Sequence, residues 1–345
     1  MHKNFLLIAA MLFAIVISAI SGTVTSQSAE VNIYSARKES LIKPLLDQFS
    51  AETGIKTNLI TASADKLLTR MINEGRNTPA DILITVDAGR LFRARQADIF
   101  QPIKSQKIEQ LVPSNLRDSE NYWIGLSQRA RVIFYVKERV NPAQLSTYEN
   151  LADQQWKHRI CIRGSDNIYN QSLVASLIAA NGKAATQQWA NALVGNMARP
   201  PQGGDRDQIK AAAAGQCDIA IANTYYFARM LENKKDPSQS EAAQKMAIFW
   251  PNQQGRGAHV NISGAGISKY SRNLDNAHKL LEFLVSPAAQ SWYANANYEY
   301  PVNPSVKPDG LIASWGAFKA DAIDLSKLGE LNAEAVKTMD RAGWK

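Results

Sequence analysis

Residues 31–60 read VNIYSARKESLIKPLLDQFSAETGIKTNLI, and this stretch decides the fold class. Residues 31–34 predict a buried strand, and residues 55–60 predict another. Between them, residues 41–51 repeat their apolar side chains with the period of a helix, which ends at Gly54. A strand, a helix and a second strand in this order form a β-α-β unit, whose strands run parallel. We therefore expect an α/β protein.

The alternation of strands and helices continues along the chain. A helix over residues 64–73 and a strand over residues 80–85 complete a second β-α-β unit, which implies a parallel sheet wrapped by helices. A second series starts near Arg129, with predicted strands at 132–136, 158–162 and 217–222 and predicted helices at 171–180 and 184–193. Asp205 is expected to be the N-cap of a further helix, because Gln208 lies at capping-box spacing.

A Gly-rich, strand-like run at residues 259–267 looks like a return of the chain to the first series. We therefore predict two hinged α/β lobes, joined by crossings near residues 127–131 and 254–262. The N-lobe would comprise residues 29–128 plus about 258–305, and the C-lobe residues 129–257 plus about 306–345. A hinged pair of lobes leaves a central cleft, which is where small ligands bind.

The first 28 residues differ in kind from the rest. A basic start precedes an almost unbroken apolar run over residues 5–20, and residues 26–28 fit a small-x-small cleavage rule. This pattern is typical of a secretory signal peptide. A retained membrane anchor is the alternative, but the run is slightly short for a span. We expect residues 1–28 to be a signal peptide, and the remaining chain to be exported and soluble.

Charge and motifs exclude several classes of function. The formal net charge is +8, but the basic residues are scattered and form no run beyond pairs. We therefore expect no nucleic-acid partner. The sequence contains no GxSxG elbow, no HExxH, no P-loop and no GxGxxG after a strand. An exported enzyme is consequently the weakest hypothesis, and we predict that the protein is not an enzyme.

The two cysteines, Cys161 and Cys217, each belong to an apolar, strand-like run. Export would place them in an oxidising compartment, where disulfides persist. Neighbouring strands could bring the two sulfur atoms within bonding range. We expect a disulfide between them, and two buried free thiols are the alternative.

Tyrosines mark the candidate site. Of the eleven tyrosines, Tyr34 ends the first predicted strand, Tyr169 follows the loop after the Cys161 strand, and the Tyr225–Tyr226 pair follows the Cys217 strand. In an open parallel sheet, the carboxyl ends of the strands face the ligand crevice. One of these residues belongs to the first lobe and three to the second, so all four could meet across one cleft.

Four phenols around one point suit a hard, highly charged cation such as Fe(III), because oxygen ligands match hard metals. A free phenol has a pKa of about 10, and a nearby trivalent ion would lower that pKa strongly. Four phenolates would leave the site one unit negative. Arg37, Arg129 and Arg229 lie near the same strand ends and are expected to balance this charge.

Other interpretations of the same residues remain open. The tyrosines could be packing residues or platforms for a sugar. The same fold could instead bind an organic cation, such as thiamine or a polyamine, or an oxyanion. Stacking aromatic residues with carboxylates would indicate the cation, and a nest of backbone N–H groups would indicate the oxyanion. Such carboxylates are not evident in the sequence.

Over nearly all of the chain after residue 28, the sequence resembles the periplasmic ferric-iron-binding proteins of bacterial ABC importers, the FutA and FbpA type. The stretches that carry the resemblance are VNIYSARKESLIKPLLDQF (31–49), PADILITVDAGRL (79–91), CIRGSDNIYNQSLVASLI (161–178), QIKAAAAGQCDIAIANTYYFARM (208–230) and GAHVNISGAGI (257–267). The resemblance implies a type II periplasmic-binding-protein fold that closes on one metal ion. It also implies a periplasmic protein that delivers iron to an ABC permease.

Carried over residue by residue, the resemblance implies that Tyr34, Tyr169, Tyr225 and Tyr226 are iron ligands. Some family members have a histidine just before the first tyrosine, where this chain has Ile33. A fifth or sixth ligand could therefore be water, carbonate or another anion. Fe(II) is also open as cargo, although neutral phenols bind it weakly. We expect the protein to act as a monomer.

Overall fold

The computed structural model describes residues 29–345. The predicted signal peptide lies outside the described residues. None of the helices in the described part of the chain is long and apolar enough to cross a bilayer. The described chain folds into two α/β lobes with a cleft between them.

The strands are joined into one sheet with the order β2-β1-β3-β9-β5-β7-β6, in which β4 also pairs with β9 and β8 with β5. Their bounds are β1 (Glu30–Ser35), β2 (Lys56–Thr61), β3 (Ile82–Val86), β4 (Phe100–Gln101), β5 (Ile124–Val136), β6 (Ile160–Cys161), β7 (Ile219–Asn223), β8 (Met246–Phe249) and β9 (Val260–Ser268). The strands predicted from the sequence are all present within a few residues.

The sheet is mixed rather than parallel throughout. The predicted parallel arrangement is confirmed for β2-β1-β3 and for β6 with β7. The strands β5 and β9 run antiparallel to their neighbours in the sheet. They lie in the middle of the sheet, between its two parallel parts.

The helices cover the sheet on the two lobes. Their bounds are α1 (Lys43–Thr53), α2 (Ala64–Glu74), α3 (Ala88–Gln96), α4 (Gln106–Leu111), α5 (Ile168–Asn196), α6 (Asp205–Ala213), α7 (Thr224–Leu231), α8 (Pro237–Gln244), α9 (Leu274–Leu284), α10 (Pro287–Asn297), α11 (Gly310–Ala313), α12 (Ser326–Glu330) and α13 (Asn332–Arg341). Near the C-terminus, α12 packs on both α3 and α5, and α13 packs on α5. The end of the chain thereby ties the two lobes together behind the cleft.

Strand β5 is shared by both halves of the sheet. It pairs with β9 from Ile124 to Ala130 and with β7 from Arg131 to Tyr135. The sequence predicts only the second half of this strand, over residues 132–136. Arg129 and Arg131, near its middle, are at most 2% exposed. The residue boundaries of the two lobes stay a prediction.

Two helix predictions differ from the structure in detail. The helices expected at 171–180 and 184–193 form one element, α5, which is broken at Gly182, where φ is 79°. Helix α6 begins at Asp205, so that residue is not its N-cap. Gly204 occupies the N-cap position, and its backbone N–H donates to Asp207 Oδ2 at 2.8 Å. The carboxylate of Asp205 is free to act elsewhere, as described below.

The predicted disulfide between Cys161 and Cys217 is present. Cys161 ends β6, Cys217 lies just before β7, and the two Cα atoms are 6.0 Å apart. Both residues are buried in an apolar cluster of the C-lobe. The two cysteines are 56 positions apart, and the loop that the bond closes includes all of α5 and all of α6.

Replacing both cysteines, Cys161→Ala with Cys217→Ala, should lower the free energy of unfolding by about 2–4 kcal/mol, because the open loop gains conformational freedom when the chain unfolds. Denaturant titration of the double variant measures the change. Wild-type protein unfolded in a reducing agent is the control, and it should behave like the variant. Equal stability of the oxidised wild type and the variant would contradict this prediction.

Candidate metal centre

The cleft between the lobes contains a cavity of about 540 Å³. Its wall on the N-lobe side comes from the loop after β1, and its wall on the C-lobe side from the starts of α5, α6 and α7. The lining residues are Ala36, Arg37, Lys38, Leu41, Val86, Arg129, Arg163, Tyr169, Gly204, Asp205, Arg206, Asp207, Lys210, Tyr225, Tyr226, Arg229, Gln239 and Glu299.

Three of the four predicted tyrosines meet in this cleft. Tyr169 lies in the first turn of α5, and Tyr225 and Tyr226 lie in the first turn of α7, just after β7. The hydroxyl oxygens of Tyr169 and Tyr225 are 3.4 Å apart. The ring centroids of Tyr225 and Tyr226 are 4.2 Å apart. The prediction that strand ends place these phenols side by side fits this geometry.

Two phenols of this cluster, those of Tyr225 and Tyr226, are hard to ionise without a cation. Burial raises the pKa of Tyr225 well above its usual value, and the Tyr169 and Tyr226 phenols raise it further, against an opposing effect of Arg129. Burial is also the main cause that raises the pKa of Tyr226, followed by Tyr169 and Asp205. The phenols at the starts of α5 and α7 face the positive ends of two helix dipoles, which favour the anionic form. A cation of high charge at the cluster would complete the ionisation.

Arginines surround the three phenols. The guanidinium carbon of Arg129 lies 5.6 Å from the Tyr169 ring centroid, and that of Arg229 lies 5.3 Å from the Tyr225 ring centroid. Arg206, which the sequence analysis did not single out, lies 6.0 Å from the centroid of the Tyr226 ring. Each of the three phenols thus has a guanidinium over its ring.

Arg37, the third arginine predicted for charge balance, is engaged with a carboxylate. It donates to Glu299 Oε2 at 3.0 Å and to Ser263 Oγ at 2.6 Å, and its side chain is only 2% exposed. Arg129 donates to the same Ser263 hydroxyl at 2.7 Å. Burial alone would raise the pKa of Glu299, but Arg37 and Arg129 hold that pKa below its usual value. Glu299 therefore offsets one of the two positive charges of Arg37 and Arg129 in the cleft.

The structure does not bring Tyr34 to the other three tyrosines. Its hydroxyl donates to Glu74, with distances of 3.0 and 3.1 Å to the two carboxylate oxygens. Its ring lies 4.7 Å from the guanidinium carbon of Arg70. Burial and the bond with Glu74 raise the pKa of Tyr34 to about 12. The part of the N-lobe that lines the cleft lies a few residues further on, at Arg37 and Lys38.

The cleft is strongly basic, which the sequence analysis missed. Seven basic side chains line it against three acidic ones, an excess of four positive charges. Arg163, Arg206, Lys38, Lys210, Asp205, Asp207 and Glu299 were not predicted as site residues. The position of Asp205 and Arg206 at the start of a predicted helix could have indicated them as site residues. Glu299 reaches the site only through the tertiary fold.

Among residues 29–345, none of the three histidines lines the cleft. His259 is buried, and burial together with nearby arginines lowers its pKa to about 3, which keeps the ring neutral. Neither His158 nor His278 lines the cleft. Within residues 29–345, no group of three or more histidine, cysteine, aspartate or glutamate side chains could hold a metal ion.

The raised pKa values of Tyr225 and Tyr226 predict how the free energy of unfolding changes at alkaline pH. A phenol whose pKa is higher in the folded chain stabilises the fold below about pH 10, and this contribution is lost as the pH rises through the folded-state pKa. The metal-free protein should therefore lose stability above about pH 10. Tyr225→Phe should make this loss smaller.

Denaturant titrations of wild type and Tyr225→Phe at a series of pH values between about 8 and 11 test this dependence. Tyr135→Phe is the matched control, because Tyr135 is a half-buried tyrosine of the C-lobe outside the cleft. A Tyr225→Phe variant with the pH dependence of the wild type would show that this phenol does not resist ionisation.

Comparison with known proteins agrees with this fold. Residues 77–315 match the family model described as bacterial extracellular solute-binding protein. The chain is 50% identical to iron uptake protein A1 of Synechocystis over 319 residues, which cover 92% of this chain and 88% of that protein.

Solved structures of related proteins have the same fold as this chain. A Trichodesmium protein (IdiA, FutA), in complex with iron and citrate ligands, superposes with a TM-score of 0.90 at 50% identity, over 92% of this chain and all of that one. A ferric binding protein from Campylobacter jejuni superposes with a TM-score of 0.85 at 37% identity, over 91% of this chain and all of that one.

Proposed function

This chain belongs to the family of bacterial extracellular solute-binding proteins, and we propose that its cargo is ferric iron, bound in the interlobe cleft through tyrosine phenolates. The observation that carries the proposal is the convergence of Tyr169, Tyr225 and Tyr226 in a buried, basic cleft. The Trichodesmium protein, which is in complex with iron and citrate, is 50% identical to this chain. The Campylobacter jejuni protein, a ferric binding protein, is 37% identical to it.

Three phenolates would neutralise one Fe(III). Their oxygens are hard ligands that match a hard trivalent ion, and the ion would supply the positive charge that the buried phenols need for ionisation. We propose Tyr169, Tyr225 and Tyr226 as the ligands from this chain. Tyr34 would have to give up its hydrogen bond with Glu74 to join them, so we leave it out of the proposed ligand set.

The remaining coordination positions favour an anion over water. With three phenolates on Fe(III) the metal centre is neutral, yet the lining of the cleft has four more positive than negative side chains. Carbonate or another small anion would offset this excess, whereas water would not. Arg129, Arg229 and Arg37 then act as charge-balancing residues. Fe(II) would leave the phenols largely neutral, and it fits the arginine-rich surroundings less well.

A second candidate is an oxyanion as the sole ligand of the same cleft, and the excess of positive charge favours it. The same excess argues against an organic cation such as thiamine or a polyamine. An oxyanion alone gives no reason for three phenols to lie side by side in the cleft, so we favour iron. The alternative predicts a colourless complex.

The physiological role follows from the family. We propose that the protein acts in the periplasm after removal of residues 1–28, as a monomer, and that it hands its cargo to the permease of an ABC importer. The N-lobe of residues 29–128 plus about 258–305 would close on a C-lobe of 129–257 plus about 306–345. Neither a chemical reaction nor a nucleic-acid partner is part of the proposal.

The ligand set is tested by substituting single tyrosines. Tyr225→Phe and Tyr226→Phe should each lower the affinity for ferric iron by more than the roughly 100-fold that loss of an outer-shell partner can cause. Each should also shift the visible charge-transfer band from phenolate to iron, because one coloured ligand is lost. Citrate competition and absorption spectroscopy measure the two effects.

Tyr135→Phe is the control for the loss of a tyrosine in the same lobe, and it should keep the affinity and the band of the wild type. Tyr34→Phe distinguishes a set of three tyrosine ligands from a set of four. We expect this variant to keep the affinity and the band of the wild type, as the control does. A wild-type protein that stays colourless with ferric citrate and shows no affinity in competition would overturn the iron proposal.

Iron binding should release protons, because phenols lose theirs on coordination. With three phenols as ligands, up to three protons leave for each ion bound. The apparent affinity should then fall by about tenfold per pH unit for each released proton as the solution is made more acidic. Calorimetry in buffers of different ionisation enthalpy counts the protons. A count of zero would exclude neutral phenols as the ligands.

A further inference from the structure

One buried arginine reaches the starts of all three helices that line the C-lobe side of the cleft. Arg131 lies on β5 and is 1% exposed. Its guanidinium donates to Asn170 Oδ1 at 2.7 and 3.1 Å, to Asp205 Oδ2 at 3.0 Å and to Asn223 Oδ1 at 3.2 Å. Its fourth acceptor is the carbonyl of Ile221 on β7, at 3.3 Å.

Each of these acceptors is close in sequence to the candidate ligands or to the wall beside them. Asn170 follows Tyr169 directly in the first turn of α5. Asp205 is the first residue of α6 and itself lines the cleft. Asn223 is the N-cap of α7, two residues before Tyr225, and its own backbone N–H donates to Asp205 Oδ2 at 2.8 Å.

The arrangement is fixed by the cost of burying charge. A buried guanidinium needs its hydrogen bonds satisfied, and a buried carboxylate needs a cation. Asp205 and Arg131 are both almost fully buried, so neither can leave the other at low cost. The planar guanidinium offers its N–H groups in set directions, which lysine cannot reproduce. The directions of these N–H groups therefore determine how α5, α6 and α7 stand relative to one another.

The backbone of Arg131 is also held in place. Its carbonyl accepts the hydroxyl of Tyr148 at 2.5 Å, and its N–H donates to the carbonyl of His259 at 3.1 Å. The guanidinium is thus attached to a rigid strand in the middle of the sheet. Tyr169 and Tyr225, whose hydroxyl oxygens are 3.4 Å apart, belong to helices that share this one anchor.

We infer that Arg131 is a positioning residue for iron binding: it holds the first turns of α5 and α7 so that the phenols of Tyr169, Tyr225 and Tyr226 converge on one ion. This inference rests on the proposed function and adds a residue that lines no part of the cavity. Arg131 does not touch the ion. It acts through Asn170, Asp205 and Asn223.

The test compares Arg131→Lys with a matched control, Arg159→Lys. Arg159 is also an arginine of the C-lobe, paired with Asp218 at 2.6 Å and bonded to two carbonyls, but its partners lie outside the cleft. Arg131→Lys should lower the ferric affinity by about 10- to 100-fold, the range for outer-shell partners of metal ligands. It should also shift the phenolate charge-transfer band. Arg159→Lys should leave both unchanged.

Circular dichroism and thermal unfolding of each metal-free variant show whether the fold is intact. If Arg131→Lys does not fold, the Asn223→Ala variant tests the inference instead. The Asn223 side chain accepts a hydrogen bond from Arg131 and makes no cap hydrogen bond to α7, so its loss removes one bond of the anchor without removing a helix cap. Asn223→Ala should shift the band in the same direction by a smaller amount.

A failure of the proposed function and a failure of this inference alone give different experimental results. A wild-type protein without the band removes the proposed function, and this inference falls with it. A wild type with the band, together with folded Arg131→Lys or Asn223→Ala variants that match Arg159→Lys in affinity and spectrum, overturns the inference alone. A lower melting temperature without a change in the band would assign Arg131 a structural role only.

Discussion

The site depends on one electrostatic constraint: three phenols meet in one cleft, and two of them, Tyr225 and Tyr226, do not ionise easily on their own. Burial raises the pKa values of Tyr225 and Tyr226, and the neighbouring phenols add to the effect. Two helix starts and a set of guanidinium groups make the same place favourable for anions. In the proposed function, a trivalent cation would remove the obstacle to ionisation when it binds.

The rest of the fold supplies the rigidity that this cluster requires. Strand β5 runs through both lobes and carries Arg129 toward the cleft and Arg131 toward the helix starts behind it. The disulfide closes the loop that contains the starts of α5 and α6. On the floor of the cleft, Glu299 offsets Arg37 and Arg129, which both bond to Ser263. Charge balance is therefore built from residues that are far apart in sequence.

Periodicity and strand ends predict the order of the elements, the disulfide partners and the meeting of Tyr169, Tyr225 and Tyr226. These features depend on local pattern and on the shared edge of parallel strands. Tyr34 shows where such reasoning ends. Successive side chains of a strand point to opposite faces, so its position at a strand end does not determine that its hydroxyl meets Glu74 rather than the cleft.

Buried charged residues are a second feature, besides the orientation of Tyr34, that the sequence does not predict. No local pattern marks Arg131 or Glu299, because a charge is buried only when a distant partner compensates it. Arg37 and Glu299, which form an ion pair, are separated by 262 positions. Their roles depend on tertiary contacts that no local pattern records.

The central claim is that phenolate oxygens of this chain bind the ion. Resonance Raman spectroscopy of the iron-loaded protein, excited in its visible band, observes such ligands directly. We predict tyrosinate vibrations that persist in Tyr34→Phe and vanish when Tyr169, Tyr225 and Tyr226 are all replaced by phenylalanine. Stoichiometric iron without any tyrosinate vibration would contradict the account.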